Sequence, residues 1–528
     1  MKFSVLPSRS SSVGRRMNEC VLLEDEWDDY FQYSTLYILL YYDAEGQRHR
    51  IGEVKIGQFQ MEEGQRRASI PLEFLNLDER FFSLGQDDSY YEKLTEISAG
   101  IRGEVLSALR DLAAEDRSLF ARALEEKVTG VSLMRNVSKT TVLHQFSRLA
   151  SGGARVTPYE FAYQMPIPPR GKEAPVLKFE VRPTESPPSN IHILIGRNGV
   201  GKTYALNAMT RNLAEEKSEE DTGRFFFEAD DWGEIDQSSA FSTLVSVTFS
   251  AFDPFDPLPL RQDQSEGLQY HYVGLKWRTK NKDGTQKSPK SPDELTKDFT
   301  GSLGNVFLQE GSRNRWARAI KLLESDPVFS RIGFWKLLEE FNEKLEGQLA
   351  SDLTSTIQGL KDSARPLFRN LSSGHKIVVL TITRLVETVA ERSLVLLDEP
   401  EAHLHPPLLS ALARSISDLL INRNAVAIIA THSPVILQEV PVSCVWKIWR
   451  AGHELKAERP EIETFGENVG SLTHDVFGLE VQDSGFYKLL KDAVQEYGSR
   501  EKVIEEFGDQ LGSEARALLF SLAASRAS

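Results

Sequence analysis

Short apolar runs alternate with stretches of helical spacing from Ile191 onward. Residues from Thr203 to about Glu215 have helical spacing and follow the first of these runs, and a second helical stretch from Ile377 to Val389 precedes the third run. Four of the runs have the length and composition of strands buried in a sheet, and they cover Ile191 to Ile195, Leu244 to Phe249, Leu394 to Leu397 and Ala425 to Ala430. These elements predict an α/β fold.

The first 155 residues carry a different pattern. Aromatic and aliphatic residues from Tyr33 to Tyr42, turn chemistry at Asp43 to Gly46, and alternation from Arg48 to Phe59 predict a β-hairpin. Apolar residues at helical spacing predict helices from Glu92 to about Leu149. We expect residues 1–155 to form an N-terminal hairpin and helical subdomain.

A glycine-rich loop follows the first buried run. Gly196 to Thr203 match G-x-x-x-x-G-K-[ST] without a gap, which predicts a phosphate-binding loop. Its backbone N–H groups must approach phosphate oxygens at a helix start, and a Cβ at Gly199 or Gly201 would collide there. Lys202 would reach the β- and γ-phosphates, and the Thr203 hydroxyl would join the shell of Mg²⁺. The residues expected to bind ATP are Gly196, Arg197, Asn198, Gly199, Val200, Gly201, Lys202, Thr203 and Tyr204.

Two carboxylates stand directly after the third run. Asp398 can hold Mg²⁺ through water, and Glu399 can polarise the attacking water. The alternative is a strand that ends in solvated acids, and the phosphate loop upstream favours the catalytic interpretation.

Two shorter motifs flank these carboxylates. The sequence LSSGHK, Leu371 to Lys376, precedes an apolar helix whose N-terminus carries about half a positive charge, which suits a γ-phosphate. Thr431 to Pro434 follow the fourth run. A lone histidine is usually structural, but His432 at the end of a neighbouring strand is placed to sense the terminal phosphate.

In this order, the phosphate loop, LSSG, LLDEP and THS resemble the motifs of ATP-binding-cassette (ABC) ATPases of the SMC and RecF type, over residues 174–450 approximately. EPEAHLHP and ETFGENVG, the latter at Glu463 to Gly470, are similar to prokaryotic anti-phage defence ATPases of Septu type and to the ATPase half of OLD-family proteins. The resemblance implies a P-loop NTPase fold, an ABC-type ATPase head, with a long insertion between phosphate loop and signature.

The resemblance also implies five regions. Residues 1–155 hold the hairpin, a candidate to join the antiparallel sheet of the head, and the helical subdomain. Residues 156–250 form the first lobe of the head, 251–370 an inserted helical and loop region, 371–455 the second lobe, and 456–528 a C-terminal helical tail.

Roles follow from the resemblance residue by residue. It implies a homodimer, or a higher even-numbered oligomer, in which the signature of one head completes the ATP site of another. It assigns catalysis to Lys202, Glu399 and His432, the metal to Thr203 and Asp398, and the nucleotide of a second subunit to Ser372, Ser373 and Gly374.

The sequence departs from the family at two places. Ser373 and His375 replace the usual Gly and Gln of the signature. No Gln ends the strand at Phe249, where a metal-binding Gln is expected, and Ser250 or Asp253 are the candidates to substitute for it. His403 and His405 invite a metal interpretation, but a structural role is favoured in this motif.

Composition limits the partners. The net charge of −15 argues against general adhesion to nucleic acid and leaves room for a local DNA or RNA contact. One candidate is the stretch with Lys276, Arg278, Lys280, Lys282, Lys287 and Lys290, for which a polar loop is the favoured alternative, and a second is Trp316 flanked by Arg313, Arg315 and Arg318. With Cys20 and Cys444 alone, no long apolar run and no secretory leader, we expect a cytoplasmic protein without a membrane partner.

Three functions are compatible with these motifs. The leading hypothesis is an ATPase that dimerises around ATP and drives or regulates a nucleic-acid-directed complex, with a separate nuclease as effector in anti-phage defence. The second is a nucleotide-gated scaffold that hydrolyses little ATP and restrains its partner. The third, an OLD-like nuclease, is disfavoured because fewer than about 100 residues follow His432 and they hold no Asp-x-Asp pair.

Overall fold

The computed structural model describes most of the chain, and its strands form three sheets. The described residues are 1–7, 16–25, 32–62, 64–135, 137–167, 173–214, 219–227, 241–250, 254–259, 268–279, 287–347, 353–451, 454–482, 485–508 and 510–527. Asp253, Lys280 and Lys282 therefore lie outside the described residues.

The N-terminal region builds a six-stranded sheet of its own, in the order β5-β1-β2-β3-β4-β6. The predicted hairpin is present as an antiparallel pair, β3 with β4, but its neighbours are β2 and β6. The expectation that it joins the sheet of the head is wrong, because strands on both sides already saturate its edges. The strands are β1 (Lys2–Leu6), β2 (Glu19–Glu24), β3 (Leu36–Tyr42), β4 (Arg48–Gln58), β5 (Glu73–Phe74) and β6 (Phe81–Gly85).

Helices cover this sheet, as the helical spacing predicted. They share a core with it that includes Tyr37, Phe82 and Leu109. The helices are α1 (Asp88–Ile97), α2 (Ala99–Ala108), α3 (Arg117–Leu124), α4 (Lys139–Thr141) and α5 (Ser147–Ala150), with π-helical turns at Thr129–Leu133 and Val142–Phe146.

The head is built on a seven-stranded sheet in the order β12-β11-β13-β14-β9-β15-β16, parallel except for β16. A smaller antiparallel sheet, β10-β7-β8, packs beside it. The strands are β7 (Tyr159–Gln164), β8 (Val176–Val181), β9 (Ile191–Ile195), β10 (Arg224–Phe227), β11 (Thr243–Thr248), β12 (Gln269–Gly274), β13 (Leu394–Asp398), β14 (Val426–Thr431), β15 (Val445–Ala451) and β16 (Glu454–Glu458).

Helices cover both faces of the seven-stranded sheet. On one face Leu194 packs with the small sheet and with α6, and on the other Ile193 and Ile195 pack against the helices between α8 and α14. The helices are α6 (Lys202–Ala214), α7 (Glu219–Thr222), α8 (Pro292–Phe307), α9 (Glu310–Leu323), α10 (Pro327–Ser330), α11 (Phe334–Gly347), α12 (Leu353–Arg369), α13 (Ser373–Thr388) and α14 (Pro406–Asn422), with 3-10 turns at Pro400–His403, Ile436–Glu439 and Val442–Cys444.

Two of the expected boundaries do not match the sheet. The region 251–370 contributes β12 to one edge of the head, and its helices share the head's core, so it is not a separate insertion. The tail expected from 456 begins within β16, which forms the other edge. Beyond that strand lie α15 (Val469–Gln482), α16 (Gly485–Tyr497), α17 (Arg500–Glu506) and α18 (Ser513–Ala527).

A buried cluster of charges joins the N-terminal region to the head. Asp87 caps α1, and its Oδ2 lies 2.8 Å from Arg315 Nη1 of α9 and 3.7 Å from Arg423 Nη2 at the end of α14. Burial raises the pKa of Asp87, but the two guanidinium groups outweigh burial and hold it well below its usual range. Arg315, expected on a basic surface, is therefore an internal contact.

Candidate functional site

The phosphate loop has the backbone that its glycines permit. The strand β9 is buried throughout, and α6 begins at Lys202. Gly199 and Gly201 have φ of +78° and +110°, in the region that L side chains rarely adopt. Apart from the adjoining residues, no described atom lies within 4 Å of a Cβ built at either glycine. The positive φ therefore requires glycine here, and the expected collision does not occur within the chain.

Gly196 is required for a different reason. A Cβ there would lie 2.2 Å from the carbonyl oxygen of Ile448 in the adjacent strand β15. Arg197, Asn198 and Val200 complete the loop, and Tyr204 follows it on α6 with an exposed ring.

Lys202 points into the loop. Its Nζ donates hydrogen bonds to the carbonyl oxygens of Gly196 and Arg197, at 2.9 and 3.0 Å. Burial lowers the pKa of Lys202, while the carboxylates of Glu399 and Asp398 oppose that shift. The ammonium group thus faces both the carbonyl oxygens of the loop and the carboxylates at the end of β13.

Thr203, at the start of α6, and Asp398, at the end of β13, meet although β9 and β13 are not neighbours in the sheet. Thr203 Oγ1 donates a hydrogen bond to Asp398 Oδ1 at 3.0 Å. The hydroxyl of Thr203 would ligate Mg²⁺ directly, and Asp398 Oδ1 beside it would accept a hydrogen bond from a water on the same ion, so the pair fits a shared metal. Hydroxyl and carboxylate oxygens are also the ligand types that Mg²⁺ prefers.

Glu399 follows β13 in a left-handed backbone conformation, with φ of +46°. For a residue that is not glycine this conformation costs on the order of 1–3 kcal/mol and is common at functional sites. Its N–H donates to the carbonyl of Ala430 at 2.9 Å, which holds the turn against β14. His432 Nδ1 lies 3.6 Å from Glu399 Oε1.

Glu401 is a contact that the sequence analysis did not assign. Its Oε1 accepts hydrogen bonds from Thr431 Oγ1 at 2.5 Å and from the N–H of His432 at 2.8 Å. The available signal was its position two residues after Glu399 in EPEAHLHP.

The signature segment begins α13. Ser372 is the N-cap, and its Oγ lies 2.6 Å from Nδ1 of His375, the residue that replaces the usual Gln. Burial lowers the pKa of His375. Ser372 and Ser373 are exposed, whereas Gly374 packs so closely that a Cβ would lie 2.4 Å from the carbonyl oxygen of His403. The signature therefore contacts the segment after Glu399 in the same chain and presents its two serines to solvent.

Of the two histidines of EPEAHLHP, His405 has a structural contact and His403 is exposed. His405 Nε2 lies 2.9 Å from Asp326 Oδ2, and Asp326 caps α10. Within the described ranges, no group of three His, Cys, Asp or Glu side chains is arranged to hold a metal. The contact of His405 agrees with the favoured structural role of that residue.

Three residues of the basic stretch, Lys276, Arg278 and Lys290, make contacts within the chain. Lys276 Nζ donates to the carbonyl of Phe255, Arg278 donates to three backbone carbonyls, and Lys290 pairs with Asp298 at 2.7 Å. Trp316 is wholly buried and donates its Nε1 hydrogen to Thr383. The hypothesis of a Trp316 surface is therefore wrong.

The position expected for Gln is apolar. Phe249 is buried beside Asp398 and Glu399 at the end of β11, and Ser250 follows it. No helix in the described part of the chain has both the length and the apolar composition needed to cross a lipid bilayer.

Comparison with known proteins places these observations in context. Residues 328–438 match the family described as "AAA domain, putative AbiEii toxin, Type IV TA system". Protein ea59 of Escherichia phage lambda is 39% identical over 533 residues, which cover 100% of this chain and 99% of that protein.

Solved structures are similar at low identity. The ADP conformation of MJ1267, an ATP-binding cassette of an ABC transporter, is 12% identical and covers 62% of this chain and 99% of its own, with a TM-score of 0.30. The Smc head domain from Pyrococcus furiosus, bound to the C-terminal domain of ScpA, is 10% identical and covers 57% and 96%, with a TM-score of 0.24. The phosphate loop, the acidic strand end and the family match identify an ABC-type P-loop ATPase fold, as the sequence predicted.

Proposed function

The chain belongs to the family of protein ea59 of phage lambda, and from its site geometry we propose that it binds ATP with Mg²⁺ and hydrolyses it. The observation that carries this proposal is the 3.0 Å contact between Thr203 Oγ1 and Asp398 Oδ1. It joins the phosphate loop to the acidic strand end, which the chemistry requires to act on one triphosphate.

Each residue has a task in this reaction. Backbone N–H groups of Gly199 to Thr203 bind phosphate oxygens at the start of α6, and Lys202 neutralises their charge. Mg²⁺, held by Thr203 and Asp398, would screen the negative charge of the β- and γ-phosphates. Glu399 takes the proton of the attacking water, and His432 contacts the terminal phosphate.

A second copy completes the site in this proposal. The exposed Ser372 and Ser373 at the start of α13 support it, since a helix N-terminus suits a phosphate. We infer a homodimer, or a larger oligomer with an even number of heads, that closes around two ATP molecules.

Glu399→Gln tests the proposal. Losing a general base typically costs on the order of 100-fold to 10,000-fold in rate, so turnover of Mg²⁺–ATP should nearly vanish. ATP binding should persist, and the dimer measured by light scattering should be favoured with ATP. Glu458→Gln, on the exposed edge strand β16, is the matched control. Unchanged hydrolysis by Glu399→Gln would reject the assignment.

The cellular role that we propose is a nucleic-acid-directed complex in anti-phage defence, with a separate nuclease as effector. The likeness of EPEAHLHP and ETFGENVG to defence ATPases supports it. Copurification of the tagged chain from its host, with and without ATP, identifies the bound protein and nucleic acid. Recovery of the chain alone in both conditions would contradict an effector partner.

Two observations favour a second function, a nucleotide-gated scaffold with little turnover. Phe249 lies buried where the family carries a metal-binding Gln, and His375 replaces the Gln of the signature. Steady-state hydrolysis, measured with and without DNA and the captured partner, separates the two functions. Sustained turnover counts against the scaffold.

A further inference from the structure

Glu401 connects the loop after β13 to the end of β14. Its side chain is 8% exposed, and its Oε1 receives the Thr431 hydroxyl and the His432 N–H. The same oxygen lies 3.2 Å from His432 Nδ1, closer than the 3.6 Å between that nitrogen and Glu399 Oε1. One buried carboxylate thus contacts both the backbone and the ring of His432.

The second oxygen of Glu401 adds an independent observation. Oε2 is buried and has no hydrogen-bond donor in the part of the chain that the structure describes. Leaving a buried carboxylate oxygen without a donor is costly, and such atoms concentrate where a side chain has a role beyond packing.

We propose that Glu401 is the positioning residue of His432, with the Nδ1 proton of His432 directed to its carboxylate. This inference rests on the proposed function, because it assigns the remaining ring nitrogen, Nε2, to the terminal phosphate of ATP. A carboxylate on one ring nitrogen fixes both the tautomer and the ring orientation of a histidine.

Glu401 also protects the general base. His432 has two carboxylates within reach, and a pair with Glu399 would occupy the oxygen that must accept a proton from water. Because Glu401 is buried and held by two hydrogen bonds, its carboxylate lies in a fixed place beside the imidazole, while Glu399 stays 33% exposed. The two acids therefore divide their tasks.

A role limited to the fold would need less. The Thr431 hydroxyl and the His432 N–H require only a neutral acceptor, which an amide oxygen supplies. Glu401→Gln keeps that acceptor and removes the charge beside Nδ1, whereas Glu401→Ala removes both. The pair of variants separates support of the backbone from positioning of the ring.

The kinetic test measures kcat and KM for Mg²⁺–ATP in the full chain. We expect kcat to fall roughly 10-fold in Glu401→Gln and roughly 100-fold in Glu401→Ala, the range found for residues that orient a functional group, with KM changed less than about twofold. Glu439→Gln is the control. It alters a carboxylate that pairs with Arg414 shortly after β14, and its kcat should match that of wild type. An unchanged kcat in Glu401→Ala would overturn the inference.

A double variant asks whether Glu401 acts through His432. In the His432→Ala background, Glu401→Gln should have no further effect on kcat, because the ring it positions is absent. Additive losses in the double variant would contradict positioning.

A spectroscopic measurement keeps the inference testable if wild type proves not to hydrolyse ATP, an outcome that would reject the proposed hydrolysis alone. In histidine-labelled protein, with the signal assigned by His432→Ala, nitrogen NMR should show His432 protonated at Nδ1. The Glu439→Gln protein should give the same signal, and Glu401→Ala should shift it to a mixture of tautomers. An identical His432 spectrum in Glu401→Ala would sink the inference, whatever the activity.

Discussion

Thr203 Oγ1 donates a hydrogen bond to Asp398 Oδ1 across 3.0 Å, although 195 positions separate the two residues. The two side chains meet because β9 and β13 flank β14 in one parallel sheet, so both strands end at the same edge. The Mg²⁺ site that we propose at this contact predicts that ATP binding depends on the metal.

Asp398→Asn should weaken ATP binding only when Mg²⁺ is present. The amide lacks the charge that a hard cation requires, so the Kd for Mg²⁺–ATP should rise roughly 10-fold to 100-fold. Calorimetric titrations with Mg²⁺ and with EDTA make the comparison. Asp418→Asn, whose carboxylate pairs with Arg318 on the outside of α14, is the control and should bind as wild type. Equal weakening with and without Mg²⁺ would argue against a metal ligand.

Gly374→Ala should displace the signature segment. The added Cβ would lie 2.4 Å from the carbonyl oxygen of His403, and a backbone atom cannot move away cheaply. We expect the free energy of unfolding to fall by about 1–3 kcal/mol, together with a lower Tm. Gly301→Ala, in the interior of α8, adds the same methyl where the described chain has no atom within 4 Å, and should leave Tm unchanged or raise it. Equal Tm values for both variants would contradict the close packing of Gly374.

His192 should make the protein less stable in mild acid. Burial, followed by the nearby Arg459, lowers the pKa of His192 to about 3, while the unfolded chain binds that proton near pH 6.5. The unfolded state therefore binds more protons below pH 6.5, and stability is lost as pH falls, by about 2 kcal/mol at pH 5.

Replacing that ring isolates its contribution. Between roughly pH 7.5 and pH 5, which lie on either side of the pKa of the histidine in the unfolded state, His192→Leu should lose less stability than wild type. The exposed His474→Leu on α15 should lose as much as wild type. Urea unfolding at the two pH values gives the difference, and parallel losses in all three proteins would refute the prediction.

Asp87→Ala should loosen the N-terminal region from the head. It leaves Arg315 and Arg423 buried with only part of their counter-charge, which typically costs about 3–5 kcal/mol. Faster limited proteolysis between the two regions and a lower Tm would report the loss. Asp78→Ala breaks an exposed pair with Arg80 and should change neither. Unaltered cleavage of Asp87→Ala would show that the cluster does not hold the regions together.

The strands and the motif positions could be predicted because their signals are local. Apolar runs mark β9, β11, β13 and β14, and the candidate site residues follow three of these strands, β9, β13 and β14, at the carboxyl edge where α/β sheets bind ligands. The order of the sheet could not be predicted. Strand pairing depends on packing between distant segments, so the role of β12 as an edge of the head had no local signal.

Local signals also misplaced side chains. Trp316 lies among arginines that suggest a basic surface, yet tertiary packing turns the indole into the core and Arg315 toward Asp87. Glu401 was missed because its partners lie 30 positions away, at the end of another strand. Residues whose role depends on such a partner are the part of a site that a single sequence conceals.

The helix α14 links the turn after β13 to the N-terminal region. It starts at Pro406, directly after the turn that carries Glu399 and Glu401, and it ends beside Arg423, whose guanidinium faces the acidic start of α1. Packed helices are among the elements that connect distant parts of a protein. Through α14, the turn that carries Glu399 and Glu401 is therefore connected to the first helix of the N-terminal region.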